Sequence, residues 1–286
     1  MHVVQQGFLY ARPPKQLLKW VGNKQRYAAR IAALIPGSFG KYVEPFLGTG
    51  AVLGTVAPNR GLAGDALEPL IGIWGLVQCE PATLIHYYAC TLEAYLENPH
   101  ETYERVRESF NRDPNPLDLL FLSRSCYGGV VRFTTDGKMS TPIGAHTPIS
   151  AESFAERVHL WRERVRNTTF VHADYRDTMA EAVAGDVVYC DPPYAYAQSI
   201  LYGAQQFDLQ DLWGPIDRCA SRGAKVLLSI DGQKKSGTTE LRIDTPDGLF
   251  KRRMLIDVGP SMLRRFQKEG ETMEGEIVHD RLLLTW

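Results

Sequence analysis

Asp191-Pro192-Pro193-Tyr194 directly follows an apolar run, Val187-Val188-Tyr189-Cys190, that has the character of a buried strand. A carboxylate and a backbone carbonyl side by side at a strand end form paired acceptors for the two N–H bonds of an amine. An exocyclic amine conjugated to a ring is a poor nucleophile because its lone pair is delocalised. Accepting both N–H bonds favours a tetrahedral nitrogen and offsets the positive charge that develops on it during attack. Asp191 supplies the first acceptor and the Pro192 carbonyl the second, and two consecutive prolines fix φ and stiffen that carbonyl. Tyr194 adds a ring face on which a flat base can stack. Taken alone, the tetrapeptide would equally make a strand-terminating turn.

A second group lies near the start of the chain. Phe46-Leu47-Gly48-Thr49-Gly50 follows a short strand around Tyr42-Val43 and precedes helical sequence, so two glycines let a ligand approach the backbone at a strand end. There is no third glycine in the dinucleotide spacing. Asp65, fifteen residues beyond Gly50 and closing the next strand, is placed to accept hydrogen bonds from a ribose diol. A nucleoside ligand without a pyrophosphate needs this turn and this acid but no phosphate-binding lysine loop. On its own each feature is also compatible with an ordinary tight turn.

These groups need a sheet to hold them. Asn23 is expected to cap a helix through Ile35, with Tyr27, Ile31, Leu34 and Ile35 on one face. Strands are expected at KYVEP, at GLAGD ending in Asp65, and later at residues 168–174, 186–194, 225–231, 252–258 and 279–286. Strand-rich blocks separated by helix-length segments predict an α/β fold, mostly parallel, with its sites at the carboxyl ends of the strands. From about Leu76 to Val165 the pattern changes to helices over Thr83–Leu96, Thr102–Phe110 and Leu117–Ser123, then a hairpin signal at Asp136-Gly137. We therefore expect one sheet domain of residues 1–75 and 166–286 interrupted by an inserted subdomain, residues 76–165.

Composition narrows the class. With 286 residues, 44% apolar and 23% charged, the chain can build a sizeable core and is neither disordered nor collagen-like. Its longest apolar stretch, Leu70 to Val77, is far short of the roughly 18 residues of a membrane span. No membrane or export signal is expected, and a reducing cytoplasm suits five scattered cysteines without a C-x-x-C pair. The seven histidines lack metal spacing, so no metal is expected. The formal net charge of −1 conceals asymmetry: residues 1–60 hold eight Lys/Arg and one acid, and residues 232–268 hold nine Lys/Arg against four acids. If these stretches meet in space they make a positive face for a polyanion.

Taken in order, KWVGNK (19–24), EPFLGTG (44–50), the acid at Asp65 and DPPY (191–194) resemble the Dam-type family of DNA adenine-N6 methyltransferases, D12 class and alpha-group in motif order. SRSCYGGVVRFTTDGKMSTPIG is similar to the family's recognition hairpin, FVHADY to the strand before DPPY, and KVLLSIDG and HDRLLLTW to its last third, so the similarity spans about Leu18 to Trp286. The resemblance implies a Rossmann-like S-adenosylmethionine-dependent methyltransferase sheet carrying an inserted helical and β-hairpin DNA-recognition subdomain. It implies a site-specific enzyme that methylates N6 of adenine in double-stranded DNA by flipping the base into the DPPY pocket. S-adenosylmethionine, the implied cofactor, is a nucleoside without a pyrophosphate.

Carried over by position, the resemblance puts Trp20 and Lys24 near the cofactor and Phe46, Gly48 and Gly50 around its methionine part. It puts Asp65 on the ribose, Asp174 by the adenine, and Asp191 at both the cofactor and the target amine. Catalysis falls to Asp191, Pro192, Pro193 and Tyr194. Lys19, Arg132 and Pro142 match DNA-contacting positions, and Tyr127 matches an aromatic wedge at the base pair. Lysines can neutralise phosphates, an Arg on a hairpin can read guanine in the major groove, and an aromatic can replace lost stacking. The expected partner is duplex DNA, with a cognate restriction nuclease as an optional companion, in the cytoplasm of a prokaryote or phage-infected cell beside the nucleoid.

The chain departs from the family pattern at Gly22-Asn23, where Gly-Gly is usual, at Gly128, where a polar Asn usually follows the wedge aromatic, and at Leu67, where an Asn usually stands. Alternatives left open are cytosine-N4 methylation, an RNA or small-molecule substrate, and a catalytically silent DNA-binding protein of the same fold.

Overall fold

The computed structural model describes residues 13–193, 207–231, 244–260 and 277–286. Seven strands appear there: β1 (Tyr42–Glu44), β2 (Gly61–Asp65), β3 (Thr168–His172), β4 (Val187–Cys190), β5 (Lys225–Asp231), β6 (Arg252–Pro260) and β7 (Ile277–Leu284). They form one sheet in the order β3-β2-β1-β4-β5-β7-β6. β1 to β5 pair in parallel, and β7 lies antiparallel between β5 and β6. Successive side chains point to opposite faces. Tyr42, Tyr189, Leu227, Leu282 and Leu284 thus enter one core, and Val43, Val188, Cys190, Leu228 and Leu283 another. Burial on both faces is why these strands read as unbroken apolar runs.

The helices among the described residues are α1 (Ala28–Ala32), α2 (Ala51–Val56), α3 (Glu68–Cys79), α4 (Pro81–Glu97), α5 (Pro99–Arg112), α6 (Pro116–Ser125), α7 (Ala151–Val165), α8 (Tyr175–Ala180) and α9 (Trp213–Ser221). Each of α3 to α6 has a proline in its first turn, where the missing N–H is not needed. None of these helices is long and apolar enough to cross a membrane. α4, α5 and α6 cover the three helical patterns expected in the insert.

The helix expected from Asn23 starts later, at Ala28. Asn23 spends its amide on a loop instead: its Nδ2 donates to Trp20 O at 2.8 Å, and its Oδ1 accepts from Gln16 Nε2 at 2.6 Å and from Gln25 N at 3.2 Å. The side chain therefore braces the turn that carries Lys24 and leaves the helix without its cap.

The expected hairpin is present in a reduced form, as two isolated antiparallel bridges, Cys126↔Ile143 and Phe133↔Met139. Its arms alternate all the same, with Val131, Phe133, Met139 and Thr141 buried and Arg132, Ser140 and Pro142 exposed. Asn111 of α5 brackets Met139, accepting from its N–H at 2.7 Å and donating to its carbonyl at 3.0 Å, and the Tyr103 hydroxyl donates to Thr141 O at 2.7 Å. A boundary between residues 75 and 76 falls inside α3. The core on that face of the sheet continues without a break through Tyr88, Phe121, Phe154 and Phe133 of the insert.

Candidate active site

The sheet order reverses between β1 and β4: from β1 the chain builds outward to β2 and β3, and from β4 it builds outward the other way. Crevices open at such switch points, outside the carboxyl ends of the strands. Here β1 ends in Glu44 and runs into the glycine loop, while its parallel neighbour β4 runs into Asp191. A cavity of about 370 Å³ lies at this place, large enough for a nucleoside-sized ligand. Of the residues singled out in the sequence, Trp20, Lys24, Phe46, Gly48, Asp65, Asp174, Asp191, Pro192 and Pro193 all line it. Gly50 stands behind the loop as the residue preceding α2, in a left-handed conformation against the Trp74 ring. Tyr194 lies outside the described residues.

The loop is held from two sides. Gly48 and Gly50 both have positive φ, +48° and +60°, which a side chain would resist. Asp65 accepts from Gly48 N through Oδ2 and from Leu67 N through Oδ1, each at 3.1 Å, so the acid at the end of β2 also fastens the loop at the end of β1. From α3, Trp74 donates its indole N–H to Gly48 O at 3.1 Å. Asp174, exposed at the cavity edge, caps α8 by accepting from Arg176 N at 2.8 Å. Phe46 stacks on Tyr175 with ring centroids 5.1 Å apart, and Phe207 meets both edge-on, giving one wall an aromatic face.

The segment bearing Trp20 and Lys24 is fastened by its backbone. Arg124 of α6 donates to Leu17 O at 2.8 Å, Arg157 of α7 to Gln16 O at 2.7 Å, and the Trp161 indole to Lys15 O at 2.9 Å. The segment then folds into the cavity floor, where the Lys24 ammonium reaches Asp191 Oδ1 at 2.7 Å. An ammonium at this distance makes a charge-assisted bond that restrains the carboxylate's orientation.

Sequence reasoning passed over several residues at this site. Glu44 is quoted within EPFLGTG, yet its place as an acid inside a fully buried strand was the signal. Burial pushes its carboxyl up to about 8, although the Tyr42 hydroxyl, donating to Oε2 at 2.6 Å, acts the other way. A raised carboxyl makes the folded state hold a proton that the unfolded chain releases. The stability Glu44 contributes is therefore fully present below its ordinary value near 4.5 and is lost as pH rises towards 8. Glu44→Gln should flatten that slope, so that urea melts at pH 5 and pH 8 differ less in the variant than in the wild type. Asp280 lies within HDRLLLTW and Tyr27 on the expected helix face, but neither there nor at Arg176 does local spacing point to this site.

The DNA-side candidates gather away from the cavity. Tyr127, 48% exposed, begins a 3-10 turn (Tyr127–Gly129) and donates its N–H to Pro142 O at 2.8 Å, which brings those two together. Gly128 and Gly129 both have positive φ, and a Cβ on Gly129 would lie 2.7 Å from Lys19 Cβ. Lys19 therefore packs on the turn that presents Tyr127, while its neighbour Trp20 faces the cavity. Arg132 is exposed on the hairpin with its backbone N–H donated to Thr141 Oγ1. The second basic stretch falls largely outside the described residues, so the proposed positive face rests on the first.

A crevice of nucleoside size at the switch point of such a sheet, lined by Asp65, Asp174 and Asp191, is the arrangement of a Rossmann-like methyltransferase. Comparison with known proteins makes the class particular. Residues 20–242 match the model of the D12 class N6 adenine-specific DNA methyltransferases, and the chain belongs to that family. It is 34% identical over 206 residues to a DNA adenine methylase of Serratia marcescens, covering 69% of this chain and 74% of that protein. It is 30% identical over 228 residues to a DNA adenine methylase of Vibrio cholerae, covering 75% and 80%. A DNA adenine methylase of Escherichia coli matches at 32% over 188 residues, 63% of this chain and 65% of that protein.

Proposed function

We propose that this adenine-N6 DNA methyltransferase takes its methyl group from S-adenosylmethionine and delivers it to an adenine swung out of double-stranded DNA, in the bacterial cytoplasm. The observation that carries this reading is the Asp191 carboxylate and the Pro192 carbonyl at the end of β4, beside the loop that β1 feeds. The donor set fits the cofactor. A ligand with a sulfonium, an ammonium and a ribose suits a cavity lined by Asp65, Asp174 and Asp191 and backed by a glycine loop that brings backbone within reach. Asp65 would take the ribose hydroxyls with the lone pairs its two backbone bonds leave, Asp174 would lie by the adenine, and Trp20, Lys24, Phe46 and Gly48 would enclose the remainder.

When bound, the cofactor supplies an electrophilic methyl carbon on a positively charged sulfur. Asp191 accepts one N–H bond of the adenine amine and the Pro192 carbonyl the other, so the nitrogen lone pair turns towards the incoming methyl. Pro192 and Pro193 keep that carbonyl from swinging away, and Tyr194 follows them in sequence as the stacking surface. Lys19, Tyr127, Arg132 and Pro142 would meet the duplex, within a target-recognition unit of residues 76–165 set into a catalytic unit of residues 1–75 and 166–286.

The test is transfer of labelled methyl from S-adenosylmethionine to unmethylated duplex DNA, followed by nucleoside mass spectrometry. We expect N6-methyladenine, absent with Asp191→Ala. N4-methylcytosine in its place would move the assignment to the other amine, and cofactor binding without any modified base would reject DNA as the substrate.

A further inference from the structure

β7 alternates strictly, with Asp280, Leu282 and Leu284 on one face and Leu283 on the other. Leu282 and Leu284 are core residues, and the pattern asks for a third apolar side chain at position 280. A carboxylate stands there instead, 3% exposed. Burying a charge at a core position is costly unless it is paired, and an apolar residue of similar size would serve the fold at least as well. Its partners show what the carboxylate does. Asp280 Oδ2 accepts from the Tyr27 hydroxyl at 2.6 Å and lies 3.6 Å from Lys24 Nζ. The same Nζ is 2.7 Å from Asp191 Oδ1 and donates to Gly22 O at 3.1 Å.

Lys24 therefore stands between two carboxylates, one at the cavity and one behind it. Its stem is flexible, so the ammonium needs a second anchor to keep one position against Asp191. We propose that Asp280 is a positioning residue for methyl transfer: it draws the Lys24 ammonium from behind, and through Lys24 it fixes the orientation in which the Asp191 carboxylate faces the amine. Tyr27 fixes Asp280 in turn. The inference rests on the proposed role of Asp191.

Single-turnover methyl transfer to duplex DNA tests it. Asp280→Asn keeps an oxygen for Tyr27 and loses the charge, so the transfer rate constant should fall about 10- to 100-fold, as for a misplaced reacting group. Dissociation constants for S-adenosylmethionine and DNA should stay within about threefold of the wild type. Tyr27→Phe, which removes only the hydroxyl, should show a smaller loss of the same kind. In a Lys24→Met background, Asp280→Asn should add almost nothing, because the residue acts through the lysine. Wild-type transfer rates in Asp280→Asn and Tyr27→Phe would overturn the proposal. So would multiplicative losses in the Lys24→Met background, or losses confined to melting temperature and ligand affinity. A wild-type protein that makes no N6-methyladenine would instead overturn the reading of Asp191 beneath it.

Discussion

Asp191→Asn should be as inactive as Asp191→Ala, each lowering the methyl-transfer rate by about 10³-fold, in the range for loss of a preorganised polar group facing developing charge. The near-isosteric amide would be expected to do better if shape alone mattered. Lys24 decides otherwise. Its ammonium lies 2.7 Å from Asp191 Oδ1 and carries only donors, so an asparagine must turn its carbonyl oxygen to the lysine. If Asp191 holds the amine as proposed, the amide nitrogen would then be the group offered to it, donor against donor. Lys24→Met removes that constraint and should let Asp191→Asn recover part of its activity although Lys24→Met alone is impaired. Rapid-quench measurement on the three variants and the double variant checks this, and an asparagine enzyme within tenfold of wild type would contradict the role given to Asp191. The cofactor should bind the variants more weakly, since Lys24 and Asp191 line its cavity, but not be lost, since the glycine loop is fastened by Asp65 and Trp74.

The second large effect is on stability. Trp74 is wholly buried, meets Trp161 edge-on with centroids 5.1 Å apart, stacks with Phe170 at 6.1 Å, and packs against Gly50 while bonding Gly48 O. Trp74→Ala removes that packing and should cost about 3–5 kcal/mol, the usual range for a large aromatic in a core. For a chain of this size that corresponds to a drop on the order of 10 °C in melting temperature. Because the same ring seats the glycine loop, cofactor affinity should fall alongside. Trp74→Phe separates the two: it keeps most of the packing and loses the bond to Gly48, so binding should weaken more than folding. Calorimetric melts and cofactor titrations on both variants measure this, and a Phe variant that loses stability as heavily as the Ala variant would place the tryptophan's worth in the indole's bond to Gly48 and not in bulk.

That Asp191, Gly48 and Asp65 would come to one cavity could be read from the chain because each sits at or just past a strand end, where residue type and local spacing are the whole signal. The strands that carry them could be read for a similar reason, as burial on both faces leaves unbroken apolar runs. The helix expected from Asn23 failed because an asparagine can brace a loop as readily as cap a helix, and only the neighbouring Gln16 and Gln25 decided between them.

The order of strands, and so the meeting of β1 with β4 that puts the glycine loop beside Asp191, belongs to the tertiary structure alone. So do the backbone clamp from Arg124, Arg157 and Trp161 and the lysine held between two carboxylates. Tyr27 and Asp280 are 253 residues apart, and no pattern of local spacing links an acid in the last strand to a lysine ahead of the first. Spacing reveals features made by neighbours in the chain, whereas the charges around Asp191 come together only when both faces of the sheet are packed.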